Sequence, residues 1–189
     1  MASIKEIKEA LKLLKTKNIT LLHCVSAYPA KLKDINLRFM VKLKKLFNLN
    51  VGLSDHSPGF LAPIIATSLG ASVIEKHVTF NKNLKGPDHK SSLTINEFEE
   101  MVKLIRNTEI TLGKDKKILS KEEVSNSKAV RKSCISSRDI QKGDILRKAD
   151  ICFKRPGNGV SPLLASKLIN RKSKKFIKKD ILLKLTDFY

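Results

Sequence analysis

Tryptophan is absent from this 189-residue chain, and aromatic residues make up only 5% of it. Proteins that read single-stranded nucleic acid stack bases on aromatic side chains, so that mode of binding has little to work with here. Cysteine is scarce as well. Cys24, Cys134 and Cys152 are odd in number and widely spaced, which gives neither a disulfide framework nor a CxxC metal knuckle. They read as reduced, mostly buried thiols. Long apolar runs are missing too. The longest, around Phe60 to Ala71, is broken by Pro63, Thr67, Ser68 and Gly70 and falls short of the roughly 20 residues that a membrane span needs. The opening MASIKEIKEALKLLK mixes lysines and glutamates with leucines and builds no signal-peptide core, so the sequence reads as cytoplasmic and free of membrane. No P-loop, GxGxxG or Ser-His-Asp order is present. Acidic residues are outnumbered, with 18 Asp plus Glu against 38 Lys plus Arg and a net charge of +20. Such a field favours anionic partners, whether nucleic acid, a phospholipid surface or a phosphorylated metabolite, and does not choose among them. The lysines are dispersed along the whole length, as on a solvated surface, which makes a nucleic-acid-binding protein the alternative reading and not the leading one.

What is present is the patterning of a folded protein, with 41% hydrophobic residues. Ser3 and Glu6 form a capping box ahead of Ile4, Ile7, Leu11 and Leu14, predicting a helix that ends near Lys17-Asn18. NITLLHC reads as a strand buried on both faces. A helix follows from about Asp34, its N-cap, to Phe47, with Ile35, Phe39, Met40, Leu43 and Leu46 inward. Then come a strand VGLSDH, a helix from Gly59 to Leu69, a strand SVIEKHVT, and a helix capped by Thr94 and Glu97 that stops at Gly113. Alternating helices and strands predict parallel βα units, whose active sites gather at the C-terminal ends of the strands. Three strands in residues 1–112 make less than half of an eight-unit barrel of roughly 250 residues. Residues 113–127 read as a linker or a frayed helix. Residues 128–189 change to short strands and turns, a small β-rich domain of marginal size.

Two histidines end consecutive strands, His56 in LSDH and His77 in IEKH. On neighbouring parallel strands both imidazoles can reach one divalent cation, with Asp55 and Glu75 close by; each is equally readable as a hydrogen-bonded strand end. Ser26, Tyr28 and Ser54 carry hydroxyls at or just after strand ends, and hydroxyls there are common. Asp88, in GPDHKSSL, reads as a turn former or a ligand contact on the same rim. Arg155, in KRPGNG, could present a planar fork of donors or be an exposed arginine beside a tight turn.

Taken together and in this order, LLHCVSAYPA, VGLSDHSPG, GASVIEKHVT, GPDHKSSL and FKRPGNG resemble the family of N-acetylneuraminate, legionaminate and pseudaminate synthases over nearly the whole chain. The resemblance implies an α/β fold, the C-terminal portion of a (β/α)₈ TIM barrel with about three βα units, followed by a small antifreeze-like (SAF) domain. It also implies condensation of phosphoenolpyruvate with an N-acetylated amino sugar. His56 and His77 match the ligands of a divalent metal, Mn²⁺ or Mg²⁺, and with Glu75 form the expected catalytic set. Ser26 and Ser54 match phosphoenolpyruvate contacts, Tyr28, Glu75 and Asp88 lie at acceptor-sugar positions, and Arg155 matches an arginine inserted into the barrel of a partner subunit. GPDHKSSL is closer to the neuraminate and legionaminate branches than to the pseudaminate one. Met1-Ala2-Ser3 resembles the inside of a Gly-Met-Ala-Ser segment at the end of the family's fifth strand. The resemblance thus implies a start within the barrel, without the first-strand acid and the phosphate-binding lysine, and a chain that is incomplete as a catalyst alone. The implied partners are a second copy with a swapped SAF domain or a complementary N-terminal half.

Overall fold

The computed structural model describes residues 1–16 and 18–189, which form two compact units, Met1–Asp115 and Lys116–Tyr189. In the first, helices α1 (Ile4–Leu13), α2 (Arg38–Phe47), α3 (Leu61–Ser68) and α4 (Ile95–Leu112) alternate with strands. The strands are β1 (Thr20–Cys24), β2 (Asn50–Asp55), β3 (Val73–Lys76), β4 (Val78–Thr79) and β5 (Leu93–Thr94). β1, β2 and β3 form a parallel sheet in that order, with Cys24 opposite Ser54 and Ser54 opposite Glu75. β4 and β5 pair in parallel beyond it.

Side-chain alternation decides which face of the sheet does what. Val51 and Leu53 of β2 are buried against Met40 and Leu43 of α2 and Ala62 and Ala66 of α3. Their neighbours Gly52 and Ser54 therefore face the opposite side. A Cβ on Gly52 would lie 2.4 Å from the Val73 carbonyl oxygen and 2.6 Å from Leu22 Cδ2, so only glycine fits between these neighbours. A second cluster of Leu93, Met101 and Ile105 anchors α4.

Several boundaries differ from the sequence reading. α1 keeps its capping box, but it ends at Leu13 and buries no residue completely, Ile7 being only partly buried against the core; Lys17, in the expected helix, lies outside the described residues. Asp34 is not the N-cap of α2. It ends a 3₁₀ turn, Asn36 follows in the left-handed region at φ 50°, and the helix starts at Arg38. The Ile35 carbonyl there accepts a 2.6 Å hydrogen bond from His23 Nε2, a tertiary contact that propensity cannot foresee. Leu46 is 45% exposed, not inward. β1 is not buried on both faces either: only His23 is buried, because β2 is its one strand partner in the sheet. SVIEKHVT breaks at His77, whose carbonyl bonds the Leu93 amide at 2.9 Å.

In the second unit Lys121–Val130 is a helix, α5, opened by a Ser120–Glu123 capping box, where the sequence reads as linker or frayed helix. It buries none of its residues, so it lacks the apolar stripe by which helices are recognised. β6 (Ser133–Ser136) and β7 (Ile151–Lys154) pair antiparallel. Much of the remaining order comes from single bridges, Ile135 to Leu182, Ile140 to Ile177, Ile145 to Lys172 and Ser173 to Phe188, and from short 3₁₀ turns. They enclose Cys134, Ile140, Leu146, Leu168, Ile177, Leu183 and Phe188. Of the three free cysteines only Cys134 is buried; Cys24 and Cys152 are partly exposed.

Asp150 and Asp187 are the buried carboxylates of this unit among the described residues, and Asp150 is the one paired with Arg138. Arg138 Nε donates to it at 2.7 Å and Arg138 Nη1 to Asp144 at 3.0 Å, which holds both carboxyls below the usual carboxylate range. A carboxylate with a depressed folded-state pKa adds stability that is fully present above its unfolded value and is lost as pH falls through the folded one. Arg138→Met should therefore lower stability at neutral pH and move acid unfolding of this unit upward, toward roughly pH 4. Acid titration followed by circular dichroism checks this, and an unshifted acid transition would exclude the role.

Candidate active site

The C-terminal ends of β1, β2 and β3 bring the expected residues of the first unit to one rim. The His56 and His77 rings lie 5.1 Å apart between centroids, inclined at 80°. Tyr28, half exposed, leans over both, at 4.2 Å from His56 and 5.8 Å from His77. Two residues down the strands, Ser54 Oγ donates to Glu75 Oε1 at 2.6 Å, so the adjacent hydroxyl and carboxylate act as one polar floor. Ser26 is exposed beside β1, and its hydroxyl reaches only Cys24 Sγ, at 3.8 Å.

The hydrogen bonds select how each imidazole is presented. The Val25 carbonyl lies 3.1 Å from His56 Nδ1 and can only accept, so that nitrogen donates to it and Nε2 is the one this bond does not engage. The Ala30 amide donates to the His56 carbonyl at 2.9 Å, fixing the backbone as well. Asp88 Oδ2 stands 3.8 Å from His77 Nδ1, too far for a direct hydrogen bond but close enough to bias the ring. The loop holds Asp88 there through its own carbonyl, which accepts from the amides and hydroxyls of Ser91 and Ser92.

An ion bonded at about 2.0–2.2 Å to one nitrogen of each imidazole needs ring centres on the order of 5 Å apart, the separation found. No cluster of three or more His, Cys, Asp or Glu side chains is arranged as a metal cage among the described residues. The spacing of the histidine pair is thus that of an open two-ligand site, not of a closed structural one. Asp55 does not join it. Its carboxylate lies on the other face of β2, 2.7 Å from Lys76 Nζ, and both side chains are 1% exposed. The sequence reading does not foresee this buried pair, although its signal is there: alternation puts the residues preceding His56 and His77 on the face opposite to them. Arg155 is exposed in the second unit, at the end of β7.

Residues 1–117 match the NeuB family, and residues 131–188 match the SAF domain. The chain belongs to the NeuB family. It is 42% identical over 189 residues to N,N'-diacetyllegionaminic acid synthase of Campylobacter jejuni, covering 97% of this chain and 57% of that protein. It is 40% identical over 181 residues to pseudaminic acid synthase of Helicobacter pylori, covering 94% and 53%. This NeuB-family chain therefore spans about half the length of these curated relatives. The legionaminic and pseudaminic acid synthases are thus nearly equally similar to it. A crystal structure of a spore coat polysaccharide biosynthesis protein E from Chromobacterium violaceum superposes over 100% of this chain and 58% of its own at a TM-score of 0.74 and 21% identity, a likeness of fold. The fold is the C-terminal portion of the (β/α)₈ barrel, about three βα units, followed by the SAF domain. No helix among the described residues is long and apolar enough to cross a membrane.

Proposed function

We propose that this chain supplies part of the active-site rim of a sialic-acid-synthase-type enzyme, which condenses phosphoenolpyruvate with an N-acetylated amino sugar to a nonulosonic acid. The observation that carries the reading is the His56–His77 pair, converging under Tyr28 at the ends of adjacent parallel strands. His56 and His77 would hold Mn²⁺ or Mg²⁺, which would supply Lewis-acid polarisation of the open-chain sugar's aldehyde.

The chain's own groups then do the rest of the work on this rim. Val25 and Asp88 orient the two rings, so little reorganisation is needed when substrate arrives. Glu75, carrying the Ser54 hydrogen bond, offers its remaining lone pairs to acceptor hydroxyls. Ser26 can donate its hydroxyl to the carboxylate or phosphate oxygens of phosphoenolpyruvate, Ser54 does so on exchanging the hydrogen it gives to Glu75 for the substrate, and Asp88 faces the sugar from the loop after β4. Tyr28 covers the His56 ring and limits water. Carbon 3 of phosphoenolpyruvate bonds to the aldehyde carbon, water adds at carbon 2, and inorganic phosphate leaves. Arg155 delivers its planar donor fork to the N-acetyl group from the SAF domain of a partner subunit. The net charge of +20 steers the anionic donor inward. Nucleic-acid binding leaves the strand-end pair without a role.

Three parallel strands cannot close a barrel by themselves. The purified chain is therefore expected to lack synthase turnover. Mixed with a family-derived polypeptide that supplies the other barrel strands, it should release phosphate from phosphoenolpyruvate in the presence of Mn²⁺ and an N-acetylated amino sugar. Full turnover by the chain alone, or none in the mixture despite a stable complex, would sink the proposal.

A further inference from the structure

Lys76 stands directly before His77 in the sequence but points to the other face of the sheet, and its ammonium bonds on both sides of His56. Nζ donates to Asp55 Oδ2 at 2.7 Å and also to the Ser57 carbonyl, one residue before and one residue after that histidine. The bracket is closed from within, because the Ser57 amide donates to Asp55 Oδ1 at 3.0 Å. The side chains of Lys76 and Asp55 are both 1% exposed, so neither can touch a substrate on the rim. Asp55 and Lys76 are also register partners across β2 and β3.

From this we propose that Lys76 is a positioning residue, a strut that fixes the spacing of the two imidazoles by tying the backbone on either side of His56 to the strand that carries His77. Beyond the Asp55–Lys76 register His56 lies outside β2 and the β2–β3 pairing has ended, so strand pairing does not hold the two histidines together. The strut takes over that task at the point where it is needed. A lysine suits the position because one compact head can donate to a carboxylate and to a carbonyl at once. Groups behind metal ligands typically change metal affinity by about 10–100-fold when removed. The inference rests on the metal reading of the histidine pair for its consequence, but its geometric content does not.

The test uses the 189-residue chain and two readouts, Mn²⁺ affinity by electron paramagnetic resonance and, without metal, the His56–His77 inter-ring nuclear Overhauser effect. Lys76→Met should weaken Mn²⁺ binding at least about ten-fold and abolish the inter-ring effect. The double variant Asp55→Leu/Lys76→Met, which buries no unpaired charge, should behave likewise and guards against simple unfolding. Lys82→Met removes the same charge from the half-exposed Lys82–Glu97 pair and should leave both readouts unchanged. An inter-ring effect that persists in the folded Lys76 variants overturns the proposal, whatever the ion does. If the parent binds no Mn²⁺ while the inter-ring effect is lost on removing Lys76, the strut stands and the metal reading falls.

Discussion

His77→Ala, introduced into the chain and assembled with the remaining barrel strands, is expected to reduce condensation by at least about 10³-fold. Polarising a carbonyl as a Lewis acid contributes several kcal/mol to the transition state, and each 1.36 kcal/mol is a factor of ten in rate. The fold should survive, because the His77 side chain is 37% exposed and its structural bond to Leu93 runs through the backbone carbonyl, which alanine keeps. Phosphate release from phosphoenolpyruvate, read beside a far-ultraviolet circular dichroism spectrum, checks both halves of this expectation. Activity within ten-fold of the parent would show that the pair does not hold a required metal.

The largest stability effect is expected at Asp55. Asp55→Leu leaves the Lys76 ammonium, 1% exposed, without its counter-charge. Removing one member of a buried ion pair costs about 3–5 kcal/mol, whereas replacing both members by apolar residues is often neutral. The single variant should therefore lose that amount in urea unfolding, and Asp55→Leu/Lys76→Met should recover most of it. A double variant no more stable than the single one would mean that the carbonyl bond to Ser57, not the charge, dominates.

The architecture was legible because the strongest patterns were local. Capping boxes at Ser3 and Thr94 reappear with both reciprocal hydrogen bonds, and the strand-end histidines reach one rim because the period of a strand fixes their face. The start of α2 was misread because two tertiary facts override a good cap: Asn36 adopts a left-handed conformation, and His23 claims the Ile35 carbonyl. Helix α5 reads from sequence only as a linker or a frayed helix for the opposite reason, since its capping box is present but no apolar face accompanies it. At the site, the convergence of His56 and His77 could be read from spacing. The Lys76 strut could not be read with equal ease, because its partner at Ser57 is a backbone carbonyl and carries no signature in side-chain identity.

The bond between the His77 carbonyl and the Leu93 amide closes the base of the intervening loop at 2.9 Å. A loop pinned at its neck can change length almost freely, since doubling the number of residues costs only about 0.6 kcal/mol in closure entropy. Asp88 rides on that loop, while the His77 backbone belongs to its neck. On the proposed function this segment faces the sugar, and it could then be exchanged as a cassette with the histidine left in place, which would give the scaffold a way to take up new acceptors without rebuilding its chemistry.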